Sequence, residues 1–164
     1  MNDTSKKVYI AGHNGMVGSA IVRKLKELGY TNLLTIESKT LDLRNENDVY
    51  KFLKGEMPEI VIIAAAKVGG IKINNDLPYE FIMDNLLIQN SIIHSCVRLK
   101  IKKLIFLGSS CIYPKFAKQP IRENYLLNGE LEPTNQWYAI AKIAGIKSVE
   151  AARKQHKLDF VSLM

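Results

Sequence analysis

The chain has 164 residues, one domain by the usual ~100–200 residues per domain, and 47% of them are apolar against 24% charged. That balance excludes disorder, because there is ample apolar side chain to offset the entropy of ordering the backbone, and 10 Gly and 5 Pro exclude collagen-like and low-complexity chains. The charge of +7 attracts polyanions, nucleotides and nucleotide sugars among them, but the lysines are spread along the chain without interleaved aromatics, so nucleic acid is not an expected partner.

The longest apolar run, residues 60–66, has seven members. A membrane-spanning helix needs ~20, so no membrane partner is expected. The opening Met1-Asn2-Asp3-Thr4-Ser5-Lys6-Lys7 lacks the apolar stretch of a secretory signal. Two cysteines, Cys96 and Cys111, make no disulfide framework and no CxxC pair, and His13, His94 and His156 have no ligands at metal spacing. The expectation is a reduced, cytoplasmic protein without a metal site.

Residues 7–11 read as a short strand ending in a Gly-rich turn. Val17, Ala20, Ile21, Leu25 and Leu28 then recur at helical spacing over 16–28, closed by Gly29. A second strand is expected at 33–36 and a helix at 45–53 with Asn45 or Glu46 near its start. Residues 59–65 are a strand apolar on both faces, as in a parallel sheet covered on both sides. Pro78 opens a helix over 79–99, with Phe81, Ile82, Asn85, Ile88, Gln89, Ile92 and Ile93 on one stripe. A strand at 103–107, a polar loop, a helix at 136–156 and a strand at 159–163 complete the chain. This alternation predicts a Rossmann-like, doubly wound parallel α/β sheet, with residues 1–164 as one dinucleotide-binding domain. The last strand normally delivers a functional loop, so the chain is expected to be the N-terminal part of something longer, truncated before the last strands and the substrate domain.

Gly12-His13-Asn14-Gly15-Met16-Val17-Gly18 follows the first strand and opens the first helix. Glycines there let the backbone turn sharply and approach a pyrophosphate, at which the helix N-terminus points its free N–H groups. The plainer alternative is a capping turn. Glu37 lies where an adenosine ribose would be read, and a carboxylate there favours NAD. Ser38 and Lys39 follow and suit a 2′-phosphate instead. Asp42 and Leu43 are candidates to lie against the adenine, with a turn role the alternative for Asp42.

Tyr138 and Lys142 are four residues apart, on one face of a helix. An ammonium beside a tyrosine would lower its ordinary pKa near ~10, so that it can give a proton to a carbonyl oxygen as hydride reaches the carbon. Ser109, after the fourth strand, is placed to bond a substrate oxygen, and Cys111 sits in a polar loop at the same sheet edge. Cys96 reads as a small buried hydrophobe.

The G-x-x-G-x-x-G spacing resembles the extended branch of the short-chain dehydrogenase/reductase superfamily, which acts on nucleotide sugars. The strings 12–23, 64–71, 107–115 and 132–145 narrow the resemblance to the GDP-L-fucose synthase family. The resemblance implies NADP-dependent 3,5-epimerisation and 4-reduction of GDP-4-keto-6-deoxy-D-mannose. It makes Cys111 the epimerisation acid/base, Tyr138 the proton donor for reduction, Lys142 its tuner and ribose ligand, and Ser109 the holder of the 4-oxygen. Residues Gly12 to Gly18 and Leu107, Gly108, Ser109 and Ser110 would line the NADP site. Family members often carry basic residues at the positions of Asn14 and Ser38, so Lys39 is the substitute cation and NAD stays open. The partner histidine for Cys111 and the GDP-sugar grip would lie beyond residue 164, so the chain alone is expected to be inactive. The resemblance also implies a homodimer at full length, formed through helices 78–99 and 136–156. The rival readings are another nucleotide-sugar epimerase or dehydratase, and a non-catalytic NAD(P)-binding module.

Overall fold

A computed structural model describes residues 3–164; Met1 and Asn2 of the N-terminal stretch lie outside it. In chain order the elements are β1 (Val8–Ala11), α1 (Met16–Glu27), β2 (Leu33–Leu34), α2 (Glu46–Glu56), β3 (Ile60–Ile63), α3 (Ile71–Asp76), α4 (Pro78–Arg98), β4 (Lys103–Leu107), α5 (Gln136–His156) and β5 (Asp159–Leu163). All strands are parallel, in the order β2-β1-β3-β4-β5. The order reverses between β1 and β3, which puts a crevice at their carboxyl ends.

Alternation along each strand divides the core into two layers. Tyr9 and Ala11 of β1, Val61 and Ile63 of β3, Leu104 and Phe106 of β4 and Phe160 of β5 face α2, α4 and α5. Val8 and Ile10 of β1 and Ile62 of β3 face the other way, onto Ile21, Val22 and Leu25 of α1. The sheet is therefore wound on both sides, as its two-faced apolar strands require. Phe106 and Phe160 are fully buried, and truncating either to alanine would cost about 3–5 kcal/mol.

The termini follow local chemistry. The Asn45 side chain accepts from the N–H groups of Asn47 and Asp48 at 3.1 and 3.3 Å, capping α2. Leu28 ends α1, and Gly29 follows at φ +85° as a left-handed cap.

Three expectations need correction. β2 stops at Leu34 rather than at 36, because only Leu33 and Leu34 pair with β1. The chain then turns at Glu37, whose carbonyl accepts from Thr40 and Leu41. α2 runs three residues past 53, to Glu56, and closes on left-handed Met57. A short helix, α3, was not expected in the polar, Gly-flanked stretch before Pro78. It lacks a long apolar stripe and is held instead by the buried Asn74 side chain, which donates to the Gly69 and Gly70 carbonyls.

Candidate active site

The Gly-rich loop after β1 is shaped by two glycines that cannot be replaced in place. Gly12 has φ +85°, and a Cβ on it would lie 2.5 Å from the Ala65 nitrogen. A Cβ on Gly18 would lie 2.1 Å from the Gly12 carbonyl oxygen, which is why α1 can pack tightly on the turn. Gly15 differs. It donates to the Gly12 carbonyl at 3.1 Å, and its own Cβ would meet nothing closer than 3.4 Å. Its missing side chain keeps the mouth of α1 open rather than satisfying a neighbour. That mouth has no side-chain cap and no acidic residue in its first turn. Met16 and Val17 are exposed there and Gly18 is buried. Open N–H groups, a positive helix end and a bare Gly15 suit a pyrophosphate.

Across this mouth stands Glu37. Asn14 donates to its Oε2 at 2.9 Å, and His13 Nε2 lies 3.6 Å from its Oε1. The Asn14 bond, with His13 and Lys39 behind it, holds the Glu37 carboxyl below its ordinary range. Ser38 and Lys39 are exposed beside it. Asp42 takes the turn role: it accepts from the Arg44 backbone N–H at 3.0 Å and pairs with the Arg44 guanidinium at 2.8 Å. Arg44 continues to Asp84 of α4 at 3.2 Å, and Asp84 meets Lys67 at 2.8 Å. The neighbouring Leu43 carbonyl is bonded by Ser91 of α4.

The second cluster lies at the carboxyl end of β4. Lys142 is 3% exposed and donates to the Leu107 carbonyl at 2.9 Å. Its ammonium stands 4.7 Å from the Phe106 ring centre and 5.7 Å from that of Tyr138. Burial pulls its pKa down to about 8, with Cys111 working the other way. Cys111 Sγ bonds Ser109 Oγ at 3.2 Å. Burial pushes the Cys111 thiol up, while Ser109 and the Lys142 charge draw it down. Gly108 is fastened to β5 by its N–H to the Leu163 carbonyl at 2.7 Å, and Ser110 is exposed at the start of a 3₁₀ turn.

One electrostatic expectation is reversed. Tyr138 is not lowered by Lys142. Burial pushes its phenol up to about 12, Cys111 adds to the rise, and hydrogen bonding with Ser109 opposes it. The lysine directs its ammonium to Leu107 instead, and is itself desolvated. At neutral pH the phenol beside Ser109 and Cys111 therefore keeps its proton.

Ser109, Cys111, Tyr138 and Lys142 thus come together from β4, its loop and α5. His13, Asn14 and Glu37 gather separately at the loop after β1. Sequence reasoning missed Asn85. It is 2% exposed, accepts from the Lys67 N–H at 2.9 Å and donates to the Lys67 and Phe81 carbonyls at 3.0 and 2.7 Å. The available signal was a polar residue on the apolar stripe of α4. Among the described residues no helix is long and apolar enough to cross a membrane, and no group of three or more His, Cys, Asp or Glu is placed to hold a metal ion.

The NAD dependent epimerase/dehydratase family matches residues 8–164. The chain belongs to that family. GDP-L-fucose synthase 1 of Arabidopsis thaliana is 58% identical over 164 residues, all of this chain and 51% of the relative. GDP-L-fucose synthase of Escherichia coli (strain K12) is 50% identical over 161 residues, 98% of this chain and 50% of the relative. Among solved structures, MlghC, a GDP-mannoheptose C4 reductase from Campylobacter jejuni with NADP bound, superposes with a TM-score of 0.94 at 40% identity, covering 99% of this chain and 51% of that one. The chain spans about half the length of the curated relatives it matches. In this epimerase/dehydratase chain the matched region takes in both clusters, the Gly loop and the β4–α5 group.

Proposed function

We propose that this chain supplies the dinucleotide-binding domain, residues 1–164, and the proton-handling residues of a GDP-L-fucose synthase. The cofactor would be NADP and the substrate the GDP-linked 4-keto-6-deoxy sugar. The observation that carries the reading is the meeting of Ser109, Cys111, Tyr138 and Lys142 at one sheet edge, next to the crevice between β1 and β3. The 58% identity to a named GDP-L-fucose synthase supports the substrate class.

The bound cofactor would supply hydride to C4 of the sugar. Gly12, Gly15 and Gly18 would admit its pyrophosphate to the mouth of α1, with His13, Asn14, Met16 and Val17 around it. Ser38 and Lys39 would flank the adenosine ribose, and Asp42 and Leu43 the adenine. Leu107, Gly108 and Ser110 would border the nicotinamide side.

Tyr138 would give its phenolic proton to O4 as C4 is reduced, so a ketone gains hydride and proton and becomes an alcohol. Lys142 would hydrogen-bond the nicotinamide ribose from its place on the Leu107 carbonyl. Ser109 would hold O4. Cys111 would exchange protons at C3 and C5, which the 4-keto group acidifies, before the reduction removes that group.

At full length we place the protein in the cytoplasm as a homodimer. The supporting feature is an open groove of about 580 Å³ between α4 and α5, where Ile93, Val97 and Ala152 lie among polar residues such as Asn90, His94 and Gln155. Light scattering on the full-length protein tests the dimer.

The reading is tested by titrating the chain with NADPH and then adding the GDP-4-keto sugar. The expected result is saturable NADPH binding without turnover, since the curated relatives are about twice as long. No NADPH binding would overturn the cofactor assignment. Turnover to GDP-L-fucose by the chain alone would overturn the expectation of inactivity.

A further inference from the structure

Gln89 is a carboxamide on the apolar stripe of α4, and it is buried. Burying such a group is unfavourable unless its hydrogen bonds are made. Its Nε2 donates to the Ala141 carbonyl of α5 at 2.7 Å, from 52 residues away in the chain. That carbonyl and the Lys142 nitrogen belong to one planar peptide unit. Gln89 therefore grips the peptide from which Lys142 springs. The start of α5 offers no comparable hold, because Asn135 makes no side-chain cap there. We infer that Gln89 is a positioning residue for the Tyr138–Lys142 turn of α5, fixing where those two side chains stand against Ser109 and Cys111. This rests on the reading that these four residues handle protons, and it adds the residue that sets their geometry from the neighbouring helix.

The contact is prepared from both sides. Gly145 lies one turn after Ala141, and a Cβ on it would lie 2.8 Å from Gln89 Oε1 and 2.4 Å from Phe106 Cζ. Only a bare residue lets α4 and β4 close on α5 at that point. The same Phe106 ring has its centre 4.7 Å from the Lys142 ammonium. Two hydrogen bonds then bracket the lysine: Gln89 holds its main chain through Ala141, and the Leu107 carbonyl holds its ammonium at 2.9 Å. A helix held only at a side-chain tip can still roll about its axis; held at the main chain as well, it cannot. Without the Gln89 bond the ammonium is free to trade the Leu107 carbonyl for solvent. The titratable groups beside it, Cys111 and Tyr138, belong to the same cluster and would lose their fixed distance to it.

The test is an NMR titration of Lys142 in the chain carrying isotope-labelled lysine, with the resonance assigned by its loss in Lys142→Met. The parent midpoint is expected at about 8. Gln89→Met keeps the volume and drops the donor, and Gln89→Asn keeps the amide but is one methylene too short to reach Ala141. Both should raise the midpoint by about one pH unit or more, as the ammonium regains water, and weaken NADPH by roughly threefold or more. Val149→Ala loosens the same helix from a buried apolar position. It should lower the melting temperature and leave the midpoint where it is. A midpoint unmoved in both Gln89 variants would overturn the inference and leave Gln89 a strut between two helices, with the cofactor site intact if the parent binds NADPH. A midpoint raised equally by Val149→Ala would also overturn it, since any loosening of α5 would then suffice. No NADPH binding by the parent would overturn the reading and the inference together.

Discussion

Lys142 donates its ammonium to the Leu107 carbonyl at 2.9 Å, so a nearly fully buried cation ties α5 to the last residue of β4. Tyr138, one turn earlier on the same face of α5, is positioned by that tie. The contact explains why the lysine does not acidify the tyrosine: its charge is directed along the strand end and across the Phe106 ring.

Replacing Lys142 by methionine should therefore stabilise the fold at neutral pH. The ammonium is depressed from its ordinary 10.5 to about 8. Between those values the unfolded chain holds a proton that the folded chain has released, so the parent gains stability as pH rises through the window. Below about pH 8 the buried charge is unfavourable by up to roughly 3 kcal/mol, and the lost bond to Leu107 gives back about 1 kcal/mol. Lys142→Met should be more stable than the parent by about 1–2 kcal/mol at pH 7, with the gap closing by pH 10.5. Urea melts at both pH values measure it. A parent that is the more stable at pH 7 would mean that the ammonium's contacts outweigh its desolvation.

On the proposed reading, the Gly-rich loop after β1 should separate folding from cofactor binding at two glycines. Gly18→Ala drives a methyl into the backbone of Gly12, at 2.1 Å from its oxygen and 2.7 Å from its carbon. It should cost about 1–3 kcal/mol of stability and weaken NADPH. Gly15→Ala meets nothing closer than 3.4 Å, so the melting temperature should stay close to that of the parent. Its methyl stands in the mouth of α1, and NADPH affinity should fall tenfold or more, a loss of about 1.4 kcal/mol. Thermal melts and cofactor titrations on the two variants check the contrast; equal losses of stability would refute it.

The Gly loop and the long helices were legible because each is a local pattern. Pro78 at the start of α4, Gly29 after α1 and the β-branched run of β3 act within a few residues. What the sequence concealed is side-chain traffic between distant segments. Nothing near Asn14 says that it bonds Glu37, 23 residues away. The Tyr138–Lys142 spacing places both groups on one face, yet the carbonyl that captures Lys142 comes from another strand, 35 residues upstream. Burial then sets the sign of the Tyr138 shift, which spacing alone cannot do. An apolar residue such as Ile36 fits a strand by its side chain, while pairing with β1 ends two residues earlier, at Leu34.

The two cysteines should react in opposite ways. Cys96 is fully buried, and its thiol is raised by burial alone. Cys111 is partly exposed, and its thiol is also raised, with Ser109 and Lys142 in opposition. In the native chain a small alkylating reagent should label Cys111 alone, and Cys96 only in denaturant. Because the thiolate is the nucleophile, the Cys111 rate should keep climbing through pH 9, the ordinary thiol value. Mass spectrometry of timed labelling between pH 6 and about 10 reads both. A rate that levels off near neutrality would mean that Lys142 and Ser109 prevail over burial.

Asn85 should prove a positioning residue for the whole crevice. Its amide spans three backbone groups, the N–H and carbonyl of Lys67 and the carbonyl of Phe81, from a site 2% exposed. Asn85→Ala leaves the two Lys67 groups without that partner and should cost about 2–3 kcal/mol. The effect should reach the cofactor, because the same loop carries Ala65, whose backbone nitrogen would stand 2.5 Å from a Cβ on Gly12. A loop that drifts there changes the floor of the phosphate turn. The expected signature is a lowered urea midpoint together with weaker binding of NADPH and NADH by equal factors, since Asn85 is buried and acts through the Lys67 backbone. A variant with unaltered stability and affinity would show that the bond from the Ala64 N–H to the Ala11 carbonyl, at 2.9 Å, suffices to hold the loop.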